Sequence, residues 1–397
     1  MFENIIGQDH VVERLATEAR SGIVPPTLLF HGPDYSGKGS TALELARVLT
    51  CTGPDADVPW RCGCRSCTQQ RHLLQPDTLL LGGRYFRREV AVAAAALKRD
   101  ARAPLRYLLE RAVRKLTRRF DAVLWEGEES RLKKVEPLLA QLDEAVGPYL
   151  PGSEPPPDRD YAKGLDTVVA LCEKIAAAQP LDAVPVHLVR RLSHWSHVAA
   201  SGRAKVAIIE NVDRLQESAR NALLKTLEEP PPGVHFLLTT QRKGAVMATI
   251  LSRARAYGFS TRGAEESSRV IERIFRDTPP DPPSIRDYFI AVDGQGLRPL
   301  AERFLESCLA GEEIESALLE EIDGTITSLG ASEGFRYFAE ELSDLMRSLL
   351  RSGRGVSARV LGVWRAELDR ASDRVESYNV APSRALEGLY YTMRRAA

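Results

Sequence analysis

Short apolar runs, partly β-branched, alternate along much of the chain with stretches whose apolar residues recur at helical spacing. Val206 to Ile209 and His235 to Thr239 are two such runs, with the length and continuity of strands covered on both faces in a parallel sheet. Between them Ala222, Leu223, Thr226 and Leu227 recur at helical spacing until Pro230 to Pro232 forbid continuation. Strand, helix, strand in that order predicts a βαβ unit, which joins parallel strands. Thr27 to Phe30 and Pro76 to Leu81 read as two further strands, and Val11, Val12, Leu15 and Ala19 as one face of an early helix. Glu210, Asn211 and Asp213 follow the 206–209 strand, where open α/β sheets place their ligands.

From 84 to 180 the pattern changes. Residues 84–144 are helical and strongly basic, with Arg87, Arg88, Lys98, Arg99, Arg102, Arg106, Arg111, Arg114, Lys115, Arg118 and Arg119. Leu105, Leu108, Leu109, Ala112, Val113 and Leu116 repeat at helical spacing, which predicts an inserted hairpin or small bundle with the cations on its solvated face. Contact with a DNA backbone or a partner subunit is the alternative, because clustered Lys and Arg release counterions on binding. Gly152 to Asp160 is a breaker-rich loop, Tyr161 to Ala178 resumes a helix, and Val186 to Trp195 is a short amphipathic helix. The proline-rich stretch from Asp277 to Pro283 joins the sheet region to helices that continue to the last residue.

A length of 397 residues predicts two or three domains. Lys plus Arg and Asp plus Glu are 54 each, so average charge predicts no nucleic-acid binding and any DNA contact must be a local patch. No apolar run is long enough for a membrane span and Met1-Phe-Glu-Asn does not begin like a signal peptide, so the expectation is a cytoplasmic protein with no membrane contact. Cys172 and Cys308 stand alone on apolar helical faces and are expected to be buried. Cys51, Cys62, Cys64 and Cys67 form a tight cluster, which in a reducing compartment favours a metal over disulfides. Four thiolates suffice for a structural tetrahedral zinc, with His72 as a spare ligand, although the single residue between Cys62 and Cys64 is expected to strain simultaneous ligation.

The Thr27 to Phe30 strand runs into Gly32-Pro-Asp-Tyr-Ser36-Gly37-Lys38-Gly39-Ser40 and then an apolar-periodic helix, the context of a phosphate-binding loop. Backbone N–H groups and the helix N-terminus would face phosphate oxygens and Lys38 would add an ammonium. Gly39 stands where a Ser or Thr hydroxyl normally reaches magnesium, and Ser40 is one residue late, pointing about 100° away.

Asn221-Ala-Leu-Leu-Lys-Thr-Leu-Glu-Glu-Pro-Pro231 followed by Ser252-Arg253 closely resembles the clamp-loader ATPases of bacterial DNA polymerase III, the gamma/tau and delta-prime subunits. The resemblance covers about residues 2 to 83 and 186 to 310, with a weaker match near residues 379–389, and it leaves out the insertion. It implies an α/β fold: a AAA+ P-loop parallel-sheet core with a zinc-module insertion, a helical insertion, a helical lid and a C-terminal helical collar. The expected boundaries are 1–83 for the first part of the core including the zinc module at 51–67, 84–180 for the insertion, 181–278 for the rest of the core, 279–311 for the lid and 312–397 for the collar.

The resemblance also assigns roles. Relatives end the central strand in Asp-Glu, holding magnesium and orienting water, where this chain has Glu210 and Asn211. Asn211 cannot accept a proton, so general-base assistance is absent. Thr239 and Thr240 fall at the first sensor and Arg298, in Gly296-Leu-Arg298, at the second. Arg253 is the finger that relatives lend to a neighbour's ATP, although Ala254 replaces the usual following Cys. The combined expectation is a delta-prime-like subunit of DNA polymerase III that holds ATP or ADP at Gly32, Ser36, Gly37, Lys38, Gly39, Ser40, Thr240 and Arg298 without hydrolysing it. Its partners would be the other loader subunits, the sliding clamp and primer-template DNA. An active gamma/tau-type ATPase and a DNA-binding adaptor acting through the insertion are the alternatives.

Overall fold

The computed structural model describes residues 1–83, 86–179, 184–279, 283–293, 297–328, 331–352, 356–378 and 380–396. It divides into two compact units, Met1–Val292 and Asp293–Ala397. The division falls inside 279–311, the segment expected to form a lid.

The first unit is built on a parallel sheet of β1 (Thr27–His31), β2 (Thr78–Leu81), β3 (Lys205–Ile209), β4 (Val234–Thr240) and β5 (Arg255–Gly258), in the order β2-β3-β4-β1-β5. All pairs are parallel; Ile208 faces Leu237 across β3 and β4, and Leu29 faces Leu238 across β1 and β4. The period of two along each strand sorts its side chains into two cores. Leu28, Phe30, Leu80, Val206, Ile208 and Leu237 meet α1 (Asp9–Arg20) and α2 (Lys38–Thr50) on one face, while Leu29, Leu79, Leu81, Ile209 and Leu238 enter a larger cluster on the other. Burial on both sides explains why the strands read as unbroken apolar runs.

Between β1 and β2, α3 (Arg65–Arg71) follows the cysteine cluster. Between β2 and β3 come α4 (Phe86–Arg99), α5 (Ala103–Thr117), the short α6 (Ala122–Trp125), α7 (Glu136–Val146), α8 (Asp158–Ala178) and α9 (Val186–His197). These helices do not form a detached bundle. Leu105, Leu109, Val113, Leu116, Trp125, Leu142 and Leu165 belong to the same buried cluster as Leu81, Ile209 and Leu238 of the sheet. The βαβ helix is α10 (Glu217–Glu228), and α11 (Ala248–Leu251), α12 (Ala264–Val270) and α13 (Ile285–Asp293) complete the unit.

The solvated basic face expected for the insertion is not what the structure has. Of the eleven cations named above, only Lys98, Arg99 and Arg102 are exposed, and Arg88, Arg106, Lys115 and Arg119 are buried. The reason is a supply of carbonyls. The end of α3, the irregular chain after it and the start of β2 present C=O groups with room for a further hydrogen bond, and buried carbonyls are paired. Arg111 donates to the carbonyls of Gln70 and Arg71 (3.2 and 2.6 Å), Arg114 to His72 (2.6 Å), and Arg118 to Gln75 and Thr78 (3.1 and 2.7 Å). Arg106 does the same for Leu150 and Ser153. Their aliphatic stems lie along apolar surface while the guanidinium heads act as fasteners.

The second unit is helical: α14 (Leu297–Ala310), α15 (Ser316–Ser328), α16 (Ala331–Ser352), α17 (Ala358–Tyr378) and α18 (Pro382–Ala396). Phe304 packs edge-on against Phe338 and Tyr390 in its centre. Cys172 and Cys308 are fully buried, as expected. Among the described residues no helix is long and apolar enough to cross a membrane.

Candidate functional site

The cysteine cluster closes. The sulfurs of Cys51, Cys62, Cys64 and Cys67 all lie within 4.8 Å of one another, and Cys51 Sγ is 3.8 Å from both Cys62 Sγ and Cys64 Sγ. A tetrahedron with metal–sulfur bonds of about 2.3 Å has edges of about 3.8 Å, so the spacing fits zinc. Gly63, the single residue between Cys62 and Cys64, has open space where a Cβ would stand, and the sulfurs on both sides of it join the cluster. Gly53 lies so close that a Cβ there would stand 2.8 Å from Cys62 Sγ, and its N–H donates to Cys51 Sγ at 3.3 Å. Burial pushes the Cys64 thiol up, but N–H groups of Cys67 and Thr52 outweigh it and bring it down to about 6; burial holds Cys67 well above the usual thiol value.

Arg47, fully buried, donates to Cys67 Sγ at 3.3 Å, to the carbonyls of Val58 and Pro59, and to Glu44. A cation there would offset part of the negative charge of four thiolates if they held a divalent ion. Nothing in the sequence singles out Arg47; it is one arginine on an apolar helix. His72 is no ligand here: its Nδ1 meets Glu110 of α5 at 2.8 Å.

The glycine loop is folded on itself. Lys38 Nζ donates to the carbonyls of Gly32 (2.8 Å) and Pro33 (2.5 Å) and lies 3.4 Å from Ser36 Oγ, which itself donates to Pro33. Gly37 caps α2 with φ 98°, a left-handed conformation that favours glycine. A Cβ at Gly37 would also stand 2.5 Å from Arg262 Nη2. Arg262 donates to Ile6 O at 2.8 Å and to Tyr35 O, so a second cation sits against the loop; sequence reasoning missed it because it follows β5 in no recognisable motif. Asp34 accepts from Gln241, just beyond β4. Gly39 is half-buried without a hydroxyl to offer, and Ser40 is exposed on α2.

At the carboxyl end of β3 each expected residue has an internal partner. Glu210, nearly buried, accepts from Arg119 Nη2. Asn211 adopts a left-handed φ of 54°, with its N–H on Thr239 Oγ1 (3.3 Å) and its side-chain amide on Gly83 O (2.9 Å). Thr240, fully buried, donates to Asp213 at 2.7 Å and accepts from the N–H of Arg242. Arg119 was visible in the sequence only as one of a run of cations.

Arg253 stands apart from these groups, on the surface just after α11, where it pairs with Glu228 at the end of α10 (2.8 Å) and donates to Thr249 O (2.9 Å). Arg298 lies in the second unit, paired with Glu302 and Glu341 at 3.3 Å each. Gly296, which precedes it in the second-sensor match, lies outside the described residues, as does Asn379 at the start of the collar match.

A family model described as "DNA polymerase III, delta subunit" matches residues 7–103 and 172–262. The match runs through α4 and resumes within α8, so it extends beyond the 2–83 and 186–310 segments on the insertion side. Its gap, 104–171, is the stretch of the insertion that the family model leaves unmatched. The delta-prime subunit of DNA polymerase III of Haemophilus influenzae is 42% identical over 69 residues, 17% of this chain and 21% of that protein. The tau subunit of Escherichia coli is 32% identical over 115 residues, 27% of this chain and 18% of that protein. This chain therefore spans about a fifth of the length of the curated relatives it matches. A solved gamma-subunit-related protein from Thermotoga maritima aligns over 98% of the chain with a TM-score of 0.39 and 14% identity, too low to carry a conclusion. On its two matched segments, the chain is similar to the delta-prime and tau/gamma subunits of DNA polymerase III.

Proposed function

We propose that the chain is a delta-prime-like clamp-loader subunit, deficient in ATP hydrolysis, that lends Arg253 to the nucleotide of a neighbouring subunit while the sliding clamp is loaded in the cytoplasm. The observation that carries this reading is the contrast between an occupied strand end and an exposed arginine. Glu210 is bound by Arg119 and Asn211 by Gly83, so neither is poised to hold magnesium or activate water, whereas Arg253 lies on the surface, held by Glu228 and by its own local turn at Thr249 and Ser252. A guanidinium so placed can stabilise charge on a phosphoryl group held by another chain.

Its partners are the other subunits of the loader, with primer-template DNA reached through the assembly. The insertion offers little for DNA, since its arginines bind this chain's own carbonyls and a phosphate contact needs cations that are accessible. The glycine loop would hold ATP or ADP only if Lys38 left the carbonyls of Gly32 and Pro33. Zinc in the four-cysteine cluster would be structural: all four positions are protein thiolates, and no site remains for a substrate.

The test is co-purification with the other loader subunits followed by turnover measurements. The pure chain should hydrolyse ATP at well under about one per second. In the assembly, Arg253→Ala in this chain alone should lower turnover several-fold. The same substitution should change the isolated chain's unfolding free energy by no more than about 0.5 kcal/mol, because a half-exposed ion pair contributes little. Undiminished turnover after Arg253→Ala would sink the reading.

A further inference from the structure

The carboxyl end of β3 does not fit a magnesium ion. Gly39 has no hydroxyl, and the Asn211 amide donates to Gly83 O. Glu210, the one carboxylate at the position that the family resemblance gives to magnesium, is bound to Arg119. Arg119 is 2% exposed. Its Nε donates to Gly82 O at 3.0 Å, its guanidinium lies 5.4 Å from the Phe86 ring centroid, and its own carbonyl accepts from the Trp125 indole at 2.8 Å. The arrangement is built in from both sides. Gly82 has φ 92°, and a Cβ there would stand 2.2 Å from Glu210 O, so only glycine lets the end of β2 approach this closely.

Topology gives the pair its meaning. Gly82 follows β2, which flanks β3 at the edge of the sheet, whereas the glycine loop follows β1, on the other side of β3 with β4 between. The contacts of Arg119 therefore draw the Glu210 carboxylate toward the sheet edge and away from the loop. Arg119 also lies within 104–171, outside both segments that match the family model. A divalent ion at Glu210 would have to displace this guanidinium and leave it buried without a counter-charge, or sit beside it against like-charge repulsion. Magnesium at nucleotide sites is commonly held by one or two carboxylates together with phosphates and water, and the one carboxylate here is engaged by Arg119.

We propose that the insertion supplies Arg119 as a built-in cation in place of magnesium, so that any nucleotide taken by the glycine loop is bound without metal. This rests on reading Gly32 to Ser40 as a nucleotide loop. Arg119 would act as a positioning residue through Glu210, not by touching the nucleotide.

The experiment titrates the isolated full chain with a fluorescent ATP analogue in magnesium and in EDTA. Wild-type affinities should agree within about twofold in the two conditions, whereas Arg119→Gln, shown to be folded by circular dichroism, should bind about tenfold more tightly with magnesium than without. The double variant Arg119→Gln/Glu210→Gln should lose that difference. A merely structural role for Arg119 would change both conditions alike. The proposal is overturned if wild-type affinity rises about tenfold with magnesium, or if folded Arg119→Gln shows no magnesium-dependent binding. Should Arg119→Gln fail to fold, the wild-type comparison decides. Arg253 takes no part in this measurement, so failure here and failure of the arginine-finger reading are separately visible.

Discussion

Chain purified without chelator will carry about one zinc ion, and Cys67→Ser will lose it together with the fold of the loop between α2 and β2. This is the largest effect expected of any single substitution. Structural zinc sites of this kind bind with apparent free energies on the order of 10 kcal/mol or more, and because the unfolded chain has no preformed site that energy is also folding energy. Here the metal would gather residues from the end of α2, an irregular loop and the start of α3. The cluster around it is small, comprising Val48, Cys51, Val58 and Cys67 with a few half-buried neighbours. Metal analysis and hydrogen exchange at α3 check the prediction. Zinc-free wild-type protein, or a Cys67→Ser variant with unchanged exchange at α3, would contradict it.

Arg119→Met is expected to destabilise the first unit by about 3–5 kcal/mol in denaturant unfolding, because it leaves Glu210 as a buried charge with its main partner removed. Arg119→Met/Glu210→Met should recover much of that loss, since replacing a buried pair by apolar groups of similar volume is often neutral. The coupling between the two sites is then the double-variant value minus the two single ones. Additive single effects would mean that the ion pair is incidental to the way the insertion is held.

The sheet and its helices were legible because their signals are local. Unbroken apolar runs bounded by glycine and proline located β1 to β4, and the Ala222 to Leu227 period located α10. The cysteine cluster was legible for the same reason, its ligands lying within a short stretch. The basic insertion misled for a physical reason. An arginine beside an apolar stripe has the same helical phase whether its head enters water or reaches a carbonyl, and only the tertiary arrangement decides which. Phase alone could not reveal that Arg111, Arg114 and Arg118 line up with the carbonyls of residues 70 to 78. Arg119 was illegible on another ground, since its partner Glu210 lies 91 residues away. Arg262 against Gly37 is a similar long-range meeting, hidden until β5 comes to lie beside β1.

The connection from Leu81, at the end of β2, to Lys205, at the start of the neighbouring strand β3, is roughly twice as long as it would be without residues 104 to 171. Loop-closure entropy grows only with the logarithm of length, so this doubling opposes pairing of the two strands by about 0.6 kcal/mol. Burying one leucine such as Leu109 or Leu116 stabilises by about 1.5–3 kcal/mol. A parallel sheet can therefore accept a long excursion between adjacent strands at small thermodynamic penalty, provided the added helices bring an apolar face of their own.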